Sequence, residues 1–265
     1  HNLHFAMYGA MFLGQKGAAL EAVSRLREEV PDEVVKLYPD IFETFVAAAP
    51  HVYIRFGMWN EITNLEQPED KKLYVTTNAL VYYAKAVAYA NLGKHKEAEN
   101  CAKQFANAYA LVPESRHLFN NKSRDVLEIA NEMMLGEVAF KSGNKTEGLN
   151  HLRQAVELDD NLNYEEPWSW PQPTRHALGA LLLEVGNYEE AEAVYKADLG
   201  IDGKLPRPSQ HPKNVWALHG LHECLKRRDD KIELPHVAFL LQQAEARSDI
   251  KINASCLCRS KSSYA

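Results

Sequence analysis

Cysteine is scarce in this chain: four in 265 residues, at Cys101, Cys224, Cys256 and Cys258. None forms a C-x-x-C pair, so neither a disulfide framework nor a zinc finger is indicated. Cys101 and Cys224 sit at apolar helical positions and read as small buried hydrophobes. Cys256-Leu257-Cys258, in a polar tail, leaves open a soft metal or redox pair. Long apolar runs are missing too, and none approaches the ~20 residues needed to span a membrane. Basic charge is thin. The net formal charge is -6, and the longest basic cluster, Lys226-Arg227-Arg228, is followed at once by Asp229-Asp230. That balance argues against a nucleic-acid partner. There is no G-x-S-x-G, no P-loop and no glycine-rich dinucleotide loop. No strand pattern of any length appears, so neither a Rossmann fold nor a barrel is expected. Three Asn-x-Ser/Thr sites, at Asn121, Asn144 and Asn253, are what chance gives in this length and do not establish secretion. A cytoplasmic location is the expectation, with no motif that fixes it.

Helices joined by glycine turns are what the chain does have. The stretch from Arg175 to Leu199 reads RHALGALLLEVGNYEEAEAVYKADL. Leu178, Gly179, Leu182 and Leu183 form one apolar face. Gly186 ends that helix, because a left-handed C-terminal position suits glycine. Ala191, Val194, Tyr195 and Leu199 form a second face. Small Gly179 and Ala191 would let the two helices approach closely.

This stretch closely resembles the tetratricopeptide repeat, a helix–turn–helix unit of about 34 residues. Leu178-Gly179, Gly186, Tyr188, Ala191 and Tyr195 fall at the repeat's signature offsets. Tyr82, Ala86, Tyr89, Gly93 and Ala98 mark a second unit, and Trp216, Gly220 and Leu221 a later one. Turn glycines recur at Gly14, Gly57, Gly93, Gly143 and Gly186, so the spacings are 43, 36, 50 and 43. Each unit therefore carries an insertion. Val34 to Phe56 reads as one long helical region, with Pro39 in a first turn and Pro50 as a kink.

The expectation is an all-α, right-handed superhelical solenoid of about five or six divergent helix pairs over residues 1–250. A polar tail follows over 251–265. Each pair cannot bury its own apolar face, so its neighbours must bury it. The chain starts at His1 inside a helical pattern, and a longer protein is expected to continue upstream. The whole chain is similar to the C-terminal part of a group of tetratricopeptide proteins, mostly bacterial. HNLHF (1–5), HVYIRFGMW (51–59), QPTRHALGALLLEVG (172–186), EAEAVY (190–195) and ASC (254–256) carry that likeness. It implies an architecture and no reaction.

In tetratricopeptide solenoids the first helix of each pair lines a concave groove. Applied here, that register selects His1, His4 and Tyr8 in the first unit and His51 and Arg55 in the second. It selects Tyr83, Glu137, His176 and Glu184 in later units. His1 and His4, at i and i+3, with His51 from the next unit, have a spacing able to hold a divalent transition metal such as zinc. Glu137 or Glu184 would add a fourth ligand. The alternative is that these histidines only fix repeat packing. Arg55 suits a carboxylate, of the protein or of a ligand.

The irregular stretch 159–173, DDNLNYEEPWSWPQP, places Trp168 and Trp170 between prolines as a lid or plug. Its Asp159, Asn161, Asn163 and Glu165 resemble a calcium loop. No glycine stands at the sharp turn, and Trp170 stands where the bidentate acid belongs. The expected function is a binding module and scaffold. It would hold a peptide segment or small-molecule ligand against Tyr8, His51, Arg55, Tyr83, Glu137, His176 and Glu184, with Trp168 and Trp170. The alternative is a metal-dependent enzyme with a His-lined pocket closed by the Trp168–Trp170 loop.

Overall fold

A computed structural model of the chain describes residues 1–259. Among them the secondary structure is helical, apart from one two-stranded hairpin. The chain divides into two compact units. Unit 1 holds residues 1–8 and 19–171. Unit 2 holds 9–18 and, of the described residues, 172–259. The boundary between the units falls inside the first helix.

The first two helices, α1 (Asn2–Leu13) and α2 (Lys16–Glu29), turn at Gly14, where φ is 71°. Unit 1 continues with α3 (Asp32–Leu37), α4 (Pro39–Val46), α5 (Ala49–Arg55) and α6 (Trp59–Thr63). The region 34–56 is thus not one kinked helix. Pro39 opens α4 and Pro50 lies in the first turn of α5, positions where its missing N–H costs nothing. The chain restarts a helix at each proline instead of bending through it.

Two long hairpins follow. The first is α7 (Val75–Asn91) with α8 (His95–Ala110), and the second is α9 (Ser123–Lys141) with α10 (Lys145–Asp160). They turn at Gly93 and Gly143, both at positive φ. Between them a short hairpin pairs β1 (His117–Leu118) with β2 (Asn121–Lys122). Inside the second pair, a Cβ on Gly136 would stand 2.7 Å from Leu152, and one on Gly148 would stand 2.7 Å from the Gly136 carbonyl. Only the missing side chains allow α9 and α10 to lie so close.

The start of α7 is capped from another helix. Glu43 of α4, fully buried, accepts hydrogen bonds from the backbone N–H of Thr76 (3.2 Å) and Thr77 (2.7 Å) and from the Thr77 hydroxyl (2.7 Å). A carboxylate at a helix N-terminus satisfies donors that the helix cannot and complements its dipole. Burial nonetheless pushes the Glu43 carboxyl above its usual value.

In unit 2, α11 (Thr174–Glu184) pairs with α12 (Tyr188–Asp198), and α13 (Val215–Arg227) with α14 (Leu234–Glu245). Asn187 caps α12 and Asn214 caps α13 by accepting from backbone N–H groups, as good N-cap residues do. The Gly179–Ala191 approach takes a different form from the expected one. Ala191 is fully buried, but the atoms nearest a Cβ on Gly179 all belong to Tyr195, and the same ring lies against Gly220.

Residues 251–259 are not a free polar tail. Ile252, Ala254, Ser255, Cys258 and Arg259 are buried. Arg259 forms a fork with the Glu223 carboxylate at 2.6 and 3.0 Å. Cys256 and Cys258 are joined as a disulfide, so the pair closes a local loop rather than standing as free thiols. The rest of that tail, 260–265, lies outside the described residues.

Candidate functional site

In unit 1 the helices α5, α7 and α9 are successive neighbours. The positions selected by the repeat register therefore come together: His51 and Arg55 on α5, Tyr83 on α7 and Glu137 on α9. His4 of α1 joins them. All five are buried, none more than 6 % exposed. They do not line an open groove.

A segment of the same chain covers part of this face. Trp170, 1 % exposed, stands edge-on to His51 at 4.8 Å between ring centroids and lies 5.7 Å from Tyr83. Such edge-to-face pairs contribute about 0.5–1.5 kcal/mol beyond area burial. Trp168 is also buried and donates its indole N–H to Asp159 at 2.8 Å. His4 packs against Phe45 and Phe119 at 5.6 and 5.9 Å. His4, His51, Thr44 and Leu80 close a cavity of ≈ 10 Å³ with Ser169 and Pro171, at the lower limit for one water.

Two asparagines hold the segment's backbone. Asn121 donates to the Asn163 carbonyl at 3.0 Å and to the Ser169 hydroxyl at 3.2 Å, and accepts from the Asn163 N–H at 2.8 Å. Asn120 donates its side-chain amide to the Tyr164 carbonyl at 2.8 Å. Its backbone N–H donates to the Glu165 carboxylate at 2.8 Å. Of the residues that resembled a calcium loop, Asp159 holds Trp168 and Glu165 holds the β1–β2 turn by carboxylate oxygens, while Asn163 donates its side-chain amide to the Asn120 carbonyl at 3.2 Å. His1, exposed, reaches the Glu166 carbonyl at 3.0 Å.

The fit is incomplete. The Nδ1 of His4, the Tyr83 hydroxyl, the Trp170 indole N–H and one Glu165 carboxylate oxygen are buried with no hydrogen-bond partner among the described residues. Each such atom costs about 1–3 kcal/mol. Titration is displaced accordingly. Burial pushes His4 down to about 4 and His51 down to about 3. It raises Glu165 to about 7, against the Asn120 hydrogen bond. Glu137 also rises to about 7, burial outweighing the 3.2 Å hydrogen bond from Asn91. Burial lifts the Tyr83 phenol well above its usual value, reinforced by Glu137 and opposed by Arg55. At neutral pH the two imidazoles are therefore uncharged, while Glu137 and Glu165 stand near their midpoints.

His176 and Glu184 belong to unit 2, apart from this set. His176 has a different setting. Its Nε2 lies 2.9 Å from Asp198, which also meets His211 Nδ1 at 2.8 Å and the Asn214 amide at 2.9 Å. Phe12 stacks on His211 at 4.6 Å. Burial alone would raise the Asp198 carboxyl, but His176 and His211 outweigh it and hold it well below the carboxylate range. Sequence reading found neither Asp198 nor His211. Asp198 is the last residue of α12 and His211 lies in a proline-rich loop, where no periodicity selects them.

Metal ligation has a narrower basis than the spacing implied. Within either unit, among the described residues, no three His, Cys, Asp or Glu side chains bring ligand atoms within 4.8 Å of one another. His4 and His51 share a cavity, whereas His1 is turned to Glu166. No described helix is long and apolar enough to cross a membrane.

Residues 79–109, which are most of the α7–α8 hairpin, match the family model "Tetratricopeptide repeat". The chain carries a tetratricopeptide repeat and has an all-α repeat fold. No curated protein matches it. Among solved structures it is similar to the nearly identical TPR-like repeats of a putative kinesin light chain from Podosopora anserina. That likeness is at 18% identity over 94% of this chain and 96% of the other, with a TM-score of 0.44. A single-substitution form of those repeats matches at 20% identity over 85% and 95% of the two chains, with a TM-score of 0.43.

Proposed function

We propose that the chain is a protein-binding module and that its ligand is an extended peptide segment lying across α5, α7 and α9 of unit 1. The supporting observation is that a non-helical stretch of the chain itself already packs a tryptophan on this face. Beside it, Asn120 and Asn121 of the β1–β2 hairpin engage the backbone of residues 163–164, and the Trp170 ring lies against His51 and Tyr83. Backbone hydrogen bonds give affinity whatever the sequence, and a side-chain pocket gives selectivity. Arg55 and Glu137 add groups of both signs at the buried end of the same face. A small-molecule ligand would need an open cavity at His4 and His51, and the space there is that of one water.

A displayed library of random peptides tests the reading. Enriched peptides carrying a photo-crosslinker should label residues of α5, α7 or α9. Crosslinks confined to α8 and α10, or no enrichment over a denatured control, would remove the proposal.

A further inference from the structure

Resting on that peptide-site reading, we propose that residues 163–171 are a built-in occupant of the site. The partner would be a protein segment of the same chemistry, a non-helical stretch bounded by prolines with two large aromatics at i and i+2, which takes the site by exchange.

Four observations carry this. The stretch between α10 and α11 is long and has no helix or strand of its own, and loops of this length are uncommon inside compact domains, where they serve as functional loops or as linkers. Part of its anchoring is to backbone, beside side-chain bonds of Asn163, Glu165 and Ser169. Asn121 pairs with both the N–H and the carbonyl of Asn163, and Asn120 with the carbonyl of Tyr164, bonds that another backbone of the same local course could make. Its specificity lies in Trp168 and Trp170, on either side of Ser169 and flanked by Pro167 and Pro171. Both are buried although the segment is irregular.

The fourth observation is that the chain's own segment fits imperfectly. The Trp170 indole N–H, the Tyr83 hydroxyl and His4 Nδ1 have no hydrogen-bond partner among the described residues, and His4 lines a residual cavity. A segment that brings a polar group to the Tyr83 phenol and to His4 Nδ1 would satisfy site groups that this one leaves bare. The self-segment wins by connectivity, since it is present at high effective concentration. If it is seated about 99 times in 100, a competitor binds about 100-fold more weakly than to an emptied site. Such a site is closed to weak, generic peptides and opens to a well-matched one.

The test uses the intact chain labelled with 5-fluorotryptophan and an unlabelled peptide of residues 163–172, NYEEPWSWPQ. Saturable displacement should move the fluorine signals of Trp168 and Trp170 to solvent-like positions and leave that of Trp216 unmoved. A second variant replaces Pro167–Pro171 by Gly-Ser-Gly-Ser-Gly. Fluorescently tagged peptide should bind it at least 10-fold more tightly than the native chain, and a peptide with both tryptophans changed to alanine should not. If the replaced variant fails to fold, the fluorine titration of the native chain decides alone. Signals that stay unmoved up to the peptide's solubility limit would overturn the exchange. If library peptides still crosslink to α5 or α7 with those signals unmoved, the peptide site stands and the built-in occupant falls. If neither the native nor the folded replaced chain binds any peptide, both fall.

Discussion

The ring of Tyr195 lies closer than 3.0 Å to where a β-carbon on Gly179 would stand. The same ring fills the space beside Gly220, and its hydroxyl is 2.5 Å from Ser255. Glycine on both sides lets one tyrosine wedge between α11 and α13 while its polar end stays bonded. The ring cannot yield in either direction. Gly179→Ala should therefore cost about 1–3 kcal/mol, and Gly179→Leu more. Gly93 has open space but a φ of 74°, so Gly93→Ala should cost about 1–2 kcal/mol from backbone strain alone. Urea midpoints would rank the two. Equal stability of Gly179→Ala and the native chain would mean that Tyr195 is not wedged.

Glu137 should make stability depend on pH. Its folded value, about 7, lies above the ordinary 4.5. Between these values the native state keeps a proton that the unfolded chain has lost. Its contribution is present below about pH 4.5 and is lost as pH rises through 7. A displacement of that size corresponds to about 3 kcal/mol. Glu137→Gln should gain on the native chain steadily from pH 5 to 8. A difference that does not change with pH would refute this.

His4 and His51 act in the opposite sense. Their folded values, about 4 and about 3, lie below the ordinary 6.5. The unfolded chain takes up protons that the native state refuses, so stability is full above pH 6.5 and falls as pH drops toward 4. Replacing both by leucine should flatten that acid limb. The limb should persist unchanged if protonation elsewhere causes it.

Asp198 is the acceptor for three side chains. Asp198→Ala strands His176, His211 and Asn214 and should cost about 3–5 kcal/mol, as does removing one member of a buried pair. Asp198→Asn keeps the shape and should cost less. Thermal melts of both variants check the order. A loss under about 1 kcal/mol for the alanine variant would show that water replaces the carboxylate at little cost.

The metal-dependent alternative has its own check. A metal held by the folded state raises the melting temperature. Zinc, copper or iron would then stabilise the native chain and not a His4→Ala, His51→Ala double variant. The peptide-site reading expects the same response from both. A melting temperature raised by metal in the native chain alone would favour the enzyme.

The hairpins α7–α8, α9–α10 and α11–α12 are legible in the sequence because a turn glycine ends the first helix of each. The register counted from such glycines selects His51, Tyr83 and Glu137, which the structure sets on three neighbouring helices. It cannot show that they are buried, because what lies against His51 and Tyr83 is segment 163–171, and an irregular segment leaves no periodic trace. Asn120 and Asn121, which hold it, read only as loop. The turn between α13 and α14 has Asp229, not glycine, at φ 55°, so the glycine rule stops short of the last pair. Pro50 reads as a kink in the sequence, but position within a helix, not proline itself, decides between a bend and a fresh start.

Unit 2 is assembled from two separated stretches of sequence, and this governs how the chain can be dissected. Trp216, fully buried, donates its indole N–H to the Met11 carbonyl at 2.7 Å. Asp249 accepts from the N–H groups of Lys16 and Gly17 at 2.7 and 2.8 Å. A truncation keeping only 172–265 would leave an indole proton and a carboxylate without their mates and expose the apolar bed of Met11. The strip 9–18 should then act as a separable fragment, which restores the truncated body when it is added back as a free peptide.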